Sequence, residues 1–438
     1  MPNTKSPSSS DAAVSGEAQL VSANLRRNFI WNIIGSTTSA FISLFLMMVV
    51  TRLNSIDDAG IFSFAFSTAM IFYVIGIYSG RTFQVTDKNH KTTDSDYFSL
   101  RFLTCIAMLI FGIIFCLIRG YSGDKLIVIM SLIAFRMLEA LSECIYAVIQ
   151  KQNRLYQVGQ SMFIKAVFSL VGFTVIDYFT RNITLSCTVI ILANLLTIIF
   201  FDLPRLAKTG FHFEKFRSAK VWYLLKIGFF TFGFSLLNLY IINAARYALD
   251  SSASDSAQTI YGIVAMPATV LTLVGQYLIQ PFLTNFKKFF ATDTHAFQWL
   301  TIKLCLALFG VGVVCLLAAW LLGLPVLELL YAIELDGNLT SLLLIIVGGI
   351  FSALVLVIST ALVTMRRTSS QFWIYCIASV IALFVSRYLV FNGGVFGACL
   401  SYMLSMILLF AMYVGVFCYH LRKLKLNPTQ EVQHAVRE

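Results

Sequence analysis

Twelve apolar stretches follow one another in this chain, each long enough to cross a lipid bilayer. Their approximate spans are 28–50, 60–80, 98–118, 126–149, 156–180, 183–201, 223–245, 259–282, 298–322, 339–364, 371–391 and 394–419. About 20 helical residues at 1.5 Å rise cover the ~30 Å hydrocarbon core. Only 12% of residues are charged and 58% are hydrophobic, where a soluble domain carries about 25% charge. The chain therefore reads as an all-α polytopic membrane protein.

The basic residues set the threading. With the N-terminus placed in the cytoplasm, 22 of the 32 Lys and Arg fall on the cytoplasmic side, six on the other, and four inside spans (Arg101, Arg136, Lys165 and Lys303). This is the positive-inside pattern, and adding or removing one helix would scramble it. The net charge of +11 thus tracks loop position, so membrane lipid is the expected partner and nucleic acid is not. Both termini are expected in the cytoplasm.

The pattern divides the chain. Residues 1–25 read as a disordered cytoplasmic tail and 26–201 as six helices. The basic stretch 202–222 reads as a cytoplasmic connection, 223–421 as six more helices and 422–438 as a second tail. The longest outer loop, 323–338, reads as an interfacial turn of helix. The halves look like weak repeats. Helix 1 ends Thr51-Arg52-Leu53, before Asp57-Asp58-Ala59-Gly60; helix 7 ends Ala245-Arg246-Tyr247, before Asp255 and Tyr261-Gly262. Repeated halves with the substrate site between them are a common transporter plan.

Charge inside the spans is the strongest functional signal. Helix 4 carries Arg136, Glu139 and Glu143, which fall within an arc of about 60° at 100° per residue, and Tyr146 and Gln150 extend the stripe. Helix 5 carries Lys165, expected to lie level with the two glutamates. A charge at membrane depth costs roughly 2.5–3.5 kcal/mol and faces a bundle interior or a water-filled cavity. Two readings stand: an internal ion-pair network that steadies the hairpin, or cations for an anionic headgroup beside a Glu that titrates during transport. Arg52, Arg81, Arg246 and Arg387 lie at helix ends, where snorkelling is the simpler reading; Arg52 and Arg246 occupy matching places in the halves. Pro267 and Pro281 interrupt helix 8, which also bears Gln276 and Gln280. Asn32, Asn238 and Asn243 are further intramembrane amides, open to packing or binding roles.

The nine cysteines sit inside apolar segments with no CxxC spacing, and the five histidines lie in loops, at a helix end or in the tail. No metal site, disulfide, cofactor or catalytic residue is expected, and no P-loop, GxSxG, HExxH or dinucleotide fingerprint occurs.

Three stretches carry a family resemblance. One runs from Thr51-Arg52-Leu53 through Asp57-Asp58-Ala59-Gly60-Ile61-Phe62-Ser63-Phe64-Ala65. Another is the hairpin Gln150-Lys151-Gln152-Asn153-Arg154 with Gly159 to Lys165. The third joins Pro325-Val326-Leu327-Glu328-Leu329-Leu330-Tyr331, Thr364-Met365-Arg366-Arg367 and Gly394-Val395-Phe396-Gly397-Ala398. In these the chain resembles the lipid-linked oligosaccharide flippases (Wzx type, polysaccharide biosynthesis family) of the multidrug/oligosaccharidyl-lipid/polysaccharide exporter superfamily. The resemblance implies two six-helix lobes around a central cavity, alternating access, and an undecaprenyl-diphosphate-linked sugar as cargo in the bacterial plasma membrane.

On this reading the substrate-binding candidates are Arg136, Lys165, Arg52 and Arg246, and the ion-coupling candidates are Glu139 and Glu143, with H+ or Na+ as coupling ion. A polymerase and glycosyltransferases are the expected partners. The alternatives are an ion-coupled exporter of organic cations with the same fold, which would want carboxylates at cavity depth, and a polytopic polymerase or ligase, which would want a large outer loop.

Overall fold

Among the described residues, ten helical segments of the computed structural model are long and apolar enough to cross a membrane. Two further features bring the number to twelve. The helix Gly123–Lys151 is 29 residues long but carries the charged stripe. The segment Thr368–Leu426 is two helices bent at Gly394, whose φ of 52° favours glycine. In chain order the helices are α1 (Ser9–Leu53), α2 (Ile56–Ile77), α3 (Asp94–Arg119), α4 (Gly123–Lys151), α5 (Leu155–Thr180) and α6 (Ile183–Ala207). The second half holds α7 (Ser218–Ser252), α8 (Asp255–Phe290), α9 (Thr294–Tyr331), α10 (Leu339–Thr364), α11 (368–393) and α12 (394–426). The structure describes residues 9–78, 80–86 and 92–426; the loop and tail cations Lys5, Lys88, Lys91 and Arg437 lie outside them.

Several boundaries differ from the hydropathy spans. Helical backbone begins at Ser9, inside the stretch expected as a tail. The Ala- and Glu-containing run there permits a helix that hydropathy does not register. The sixth helix continues past residue 201 to Ala207, and α7 begins at Ser218, so the connection between halves is shorter than 202–222. α9 runs through Pro325 to Tyr331, turning most of the expected outer loop into helix. α8 is broken at both prolines: Pro267 opens the segment Met266–Ile279, and Pro281 sits in a tight turn, Gln280–Phe282.

The helices form two lobes, α1–α6 and α7–α12. α4 packs against α2, α3 and α6 in the first lobe, and α10 packs against α8, α9 and the α11–α12 pair in the second. Both are buried over much of their length. They differ in chemistry: α10 has no charged residue, whereas α4 carries Arg136, Glu139 and Glu143.

The weak sequence repeat marks where the lobes meet. α2 and α8 each begin on a serine cap, Ser55 accepting from the Asp58 amide at 3.1 Å and Ser254 from the Ala257 amide at 3.4 Å. They then cross each other through the two repeated glycines. A Cβ on Gly60 would overlap the Asp255 carbonyl, and one on Gly262 would overlap Ser63 Oγ. At the membrane face opposite the basic connection, Asp250 of α7 accepts from Arg119 at 2.7 Å and lies 2.9 Å from Lys125, which also reaches Asp255 at 2.7 Å. Tyr121 donates to the same Asp250 carboxylate. The lobes are thus latched on that face.

Candidate functional site

The charged stripe of α4 opens onto two spaces. The larger is a cavity of about 530 Å³ between the lobes, lined from α1, α2, α4, α7, α8, α10 and α12. Small polar residues recur along its walls at helical spacing: Ser36, Ser39 and Ser43 on α1, Ser63 and Ser67 on α2, Thr269, Thr272 and Gln276 on α8. This periodicity is visible in the sequence and is the signal that identifies the wall. Among the described residues, two charged ones line it, Arg136 from the first lobe and Arg246 from the second, and no carboxylate does.

Arg246 stands on α7 a turn below the latch. Its Nη1 donates to Ser63 Oγ at 2.6 Å across the lobe boundary, and its guanidinium lies 5.3 Å from the Tyr261 ring centre. Gln258 Nε2 donates to the Arg246 carbonyl at 2.7 Å and fixes the backbone. Arg136 donates to Glu139 one turn along α4. Its guanidinium also lies 4.6 Å from the Phe66 ring centre and 4.9 Å from that of Phe135, and its buried Nε has no hydrogen-bond partner. Both cations are therefore held by aromatic faces as well as by hydrogen bonds.

Arg136 and Ser39 are shared with the smaller space, a chamber of about 80 Å³ inside the first lobe. Glu139, Glu143, Lys165 and Tyr73 all line it. Here the structure departs from the expected pairing of Lys165 with the glutamates. Lys165 Nζ donates to Asp202 Oδ2 at 2.6 Å, to Ser142 Oγ at 2.5 Å and to Tyr146 OH at 3.0 Å. An ammonium has three protons, so this network uses them all. Ser161 also donates to Asp202, at 2.5 Å. Asp202 reaches the lobe interior because residues Ile198–Asp202 are wound as a π turn. Sequence reasoning placed Asp202 in the connection, one residue past the apolar run. Glu143, expected beside Lys165, faces Arg81 at 3.6 Å instead; Arg81 therefore turns inward where snorkelling was expected.

Arg52 lies away from both spaces. It donates to the carbonyls of Leu330, at 2.9 Å, and Leu329, near the end of α9, where helical carbonyls lack internal partners. The matching arginines of the two halves thus both cross the lobe boundary, but only Arg246 lines the cavity. Of the amides, Asn243 and Gln276 line it.

Comparison with known proteins follows the same lines. No protein-family model matches the chain. It is 24% identical over 408 residues to the capsular polysaccharide biosynthesis protein CapF of Staphylococcus aureus, covering 89% of this chain and 100% of that protein. Among solved structures it is similar to the lipid II flippase MurJ in an inward closed conformation, with a TM-score of 0.65 at 15% identity over 93% of this chain and 92% of that one. It is also similar to an inward-facing multidrug resistance transporter of the MATE family, with a TM-score of 0.68 at 9% identity over 90% and 99% of the two chains. The resemblance read from the sequence stands at the level of the fold: the chain is a multi-pass membrane protein with the two-lobed helical fold of the flippase and transporter structures it is similar to, and it is similar along most of its length to a capsular polysaccharide biosynthesis protein.

Proposed function

We propose that the chain flips a lipid-linked oligosaccharide repeat unit, carried on undecaprenyl diphosphate, across the bacterial plasma membrane by alternating access, for surface polysaccharide synthesis. The observation that carries this reading is the polarity of the central cavity. Two guanidiniums, one from each lobe, stand in a largely apolar wall dotted with hydroxyls and amides, and among the described residues no carboxylate lines it. Guanidinium groups bind phosphate oxygens bidentately and keep their charge at any physiological pH. The hydroxyls and amides suit a sugar, and the isoprenoid tail stays in the bilayer between the lobes. An organic cation would find no counter-charge in this wall, which ranks a drug exporter second.

Arg136 and Arg246 are the cargo ligands of this reading. Lys165 is a supporting residue, since its donors are committed to Ser142, Tyr146 and Asp202. Glu139 and Glu143, in the chamber that opens on Arg136, are the groups through which H+ or Na+ drives the cycle. The polymerase and glycosyltransferases that make and use the repeat unit are its functional partners, both termini are cytoplasmic, and the chain itself makes or breaks no covalent bond. The test is complementation of a strain lacking this transporter. Arg136→Ala and Arg246→Ala should leave membrane-inserted protein near normal and abolish surface polysaccharide, with partial recovery in Arg246→Lys. Full export by the Arg136→Ala, Arg246→Ala double variant would reject the reading.

A further inference from the structure

A second large recess lies on the outside of the first lobe, away from the transport cavity. It is a groove of about 540 Å³ between α5 and α6, walled by apolar side chains including Ile164, Phe168, Leu196, Phe200 and Phe201. From Ile164 to Gly172 it spans two helical turns, about 12 Å. One end is not apolar. The Arg205 guanidinium lies 3.1 Å from the ring centre of Phe201 and donates to Gln160 Oε1 on α5 at 3.3 Å. Gln160 is one turn before Ile164, so Arg205 closes the groove at the membrane boundary. Its Nη1 is buried with no hydrogen-bond partner. The nearest acid in the sequence, Asp202, is committed to an ion pair with Lys165 at 2.6 Å. A cation short of an acceptor, at the mouth of an apolar groove that runs into the hydrocarbon, is complementary to one kind of molecule.

We propose that this groove holds one chain of an acidic phospholipid whose phosphate pairs with Arg205. Basic pockets between transmembrane helices bind anionic headgroups in this way, and a guanidinium stacked on an aromatic ring is already oriented for phosphate. The site is distinct from the transport cavity and independent of the cargo.

The test uses full-length protein in detergent, offered equal amounts of phosphatidylglycerol and phosphatidylcholine with matched chains, with bound lipid counted by native mass spectrometry. Wild type should retain phosphatidylglycerol about fivefold over phosphatidylcholine, the preference that one interfacial arginine supplies. Arg205→Gln should bring the ratio near one, Arg205→Lys should keep only part of it because lysine lacks the planar fork stacked on Phe201, and Arg422→Gln, an exposed cation on the other lobe, should leave it unchanged. Leu196→Trp, which fills the groove and keeps the cation, should lower retention of both lipids. A wild-type ratio near one overturns the proposal. So does loss of preference in Arg205→Gln with no effect of Leu196→Trp, which would leave a surface charge without a groove. A groove buried by a second copy, seen as a dimer retaining neither lipid, overturns it as well.

Discussion

Lys165 Nζ and Asp202 Oδ2 lie 2.6 Å apart between α5 and the π turn of α6, both nearly excluded from solvent. Removing one partner of a buried pair leaves an uncompensated charge and costs about 3–5 kcal/mol, whereas neutralising both is far milder. Lys165→Ala should therefore lower the yield of folded protein and its unfolding temperature. Lys165→Gln combined with Asp202→Asn should restore both, with amide and hydroxyl hydrogen bonds in place of the ion pair. Unfolding of the purified variants, followed by intrinsic fluorescence, checks this. Normal stability of Lys165→Ala alone would show that the network carries little.

The crossing of α2 and α8 gives a comparison among glycines. A Cβ on Gly60 meets the Asp255 backbone, whereas Cβ atoms on Gly310 and Gly415 meet nothing within 4 Å. Gly60→Ala should destabilise by about 1–3 kcal/mol, the usual range for overpacking. Gly310→Ala and Gly415→Ala should be neutral or slightly stabilising, since alanine favours helix over glycine. Equal unfolding temperatures for all three would refute the contact.

The latch around Asp250 is expected to hold one face shut. Asp250→Asn leaves Arg119 and Lys125 without their shared, buried carboxylate. A cysteine at Ser67, on the cavity wall, should then react faster with a membrane-impermeant thiol reagent added from that face. An increase of about tenfold is expected, because each arm of the latch is partly exposed and so weaker than a fully buried pair. Labelling in a cysteine-depleted background at low and high salt measures it. Unchanged labelling would place the closure elsewhere.

The coupling role proposed for the chamber is tested by pH. Export by wild type should vary with external pH, and Glu139→Gln or Glu143→Gln should flatten that dependence. Glu139→Gln also frees Arg136 from its carboxylate partner, so tighter cargo retention is expected in that variant. If both single variants and the double variant export normally at every pH tried, the coupling group lies outside α4.

Much of this was legible in the residues. Hydropathy placed all twelve helices, because each span must satisfy its own backbone polar groups in lipid and is built mostly of apolar residues. The charged stripe of α4 was legible for the converse reason: charge there is too costly without a use. The partner of Lys165 was not. Asp202 follows the apolar run directly, and an acid two residues before Pro204 reads as the start of a loop. Arg52 and Arg246 hold equivalent positions in the repeat, and only the packing of the opposite lobe decides that one caps carbonyls while the other faces the cavity. The repeated glycines were visible, but their contact with each other's helices is a property of the lobe pairing that no local pattern encodes.

The π turn of α6 makes placement of charge depend on counting as well as on composition. A π turn carries one residue more than the α-helical turn it replaces. A chain lacking a single residue between Thr197 and Asp202 would keep every charge it has now. Its sixth helix could then wind as ordinary α-helix with Asp202 still turned toward Lys165, because the lost residue is the one that the wider turn absorbs. Among relatives of this protein, a one-residue gap at this point is therefore compatible with the same lysine–aspartate pair, whereas a gap within Ile183–Thr197, which is ordinary α-helix, would turn Asp202 by about 100° away from it.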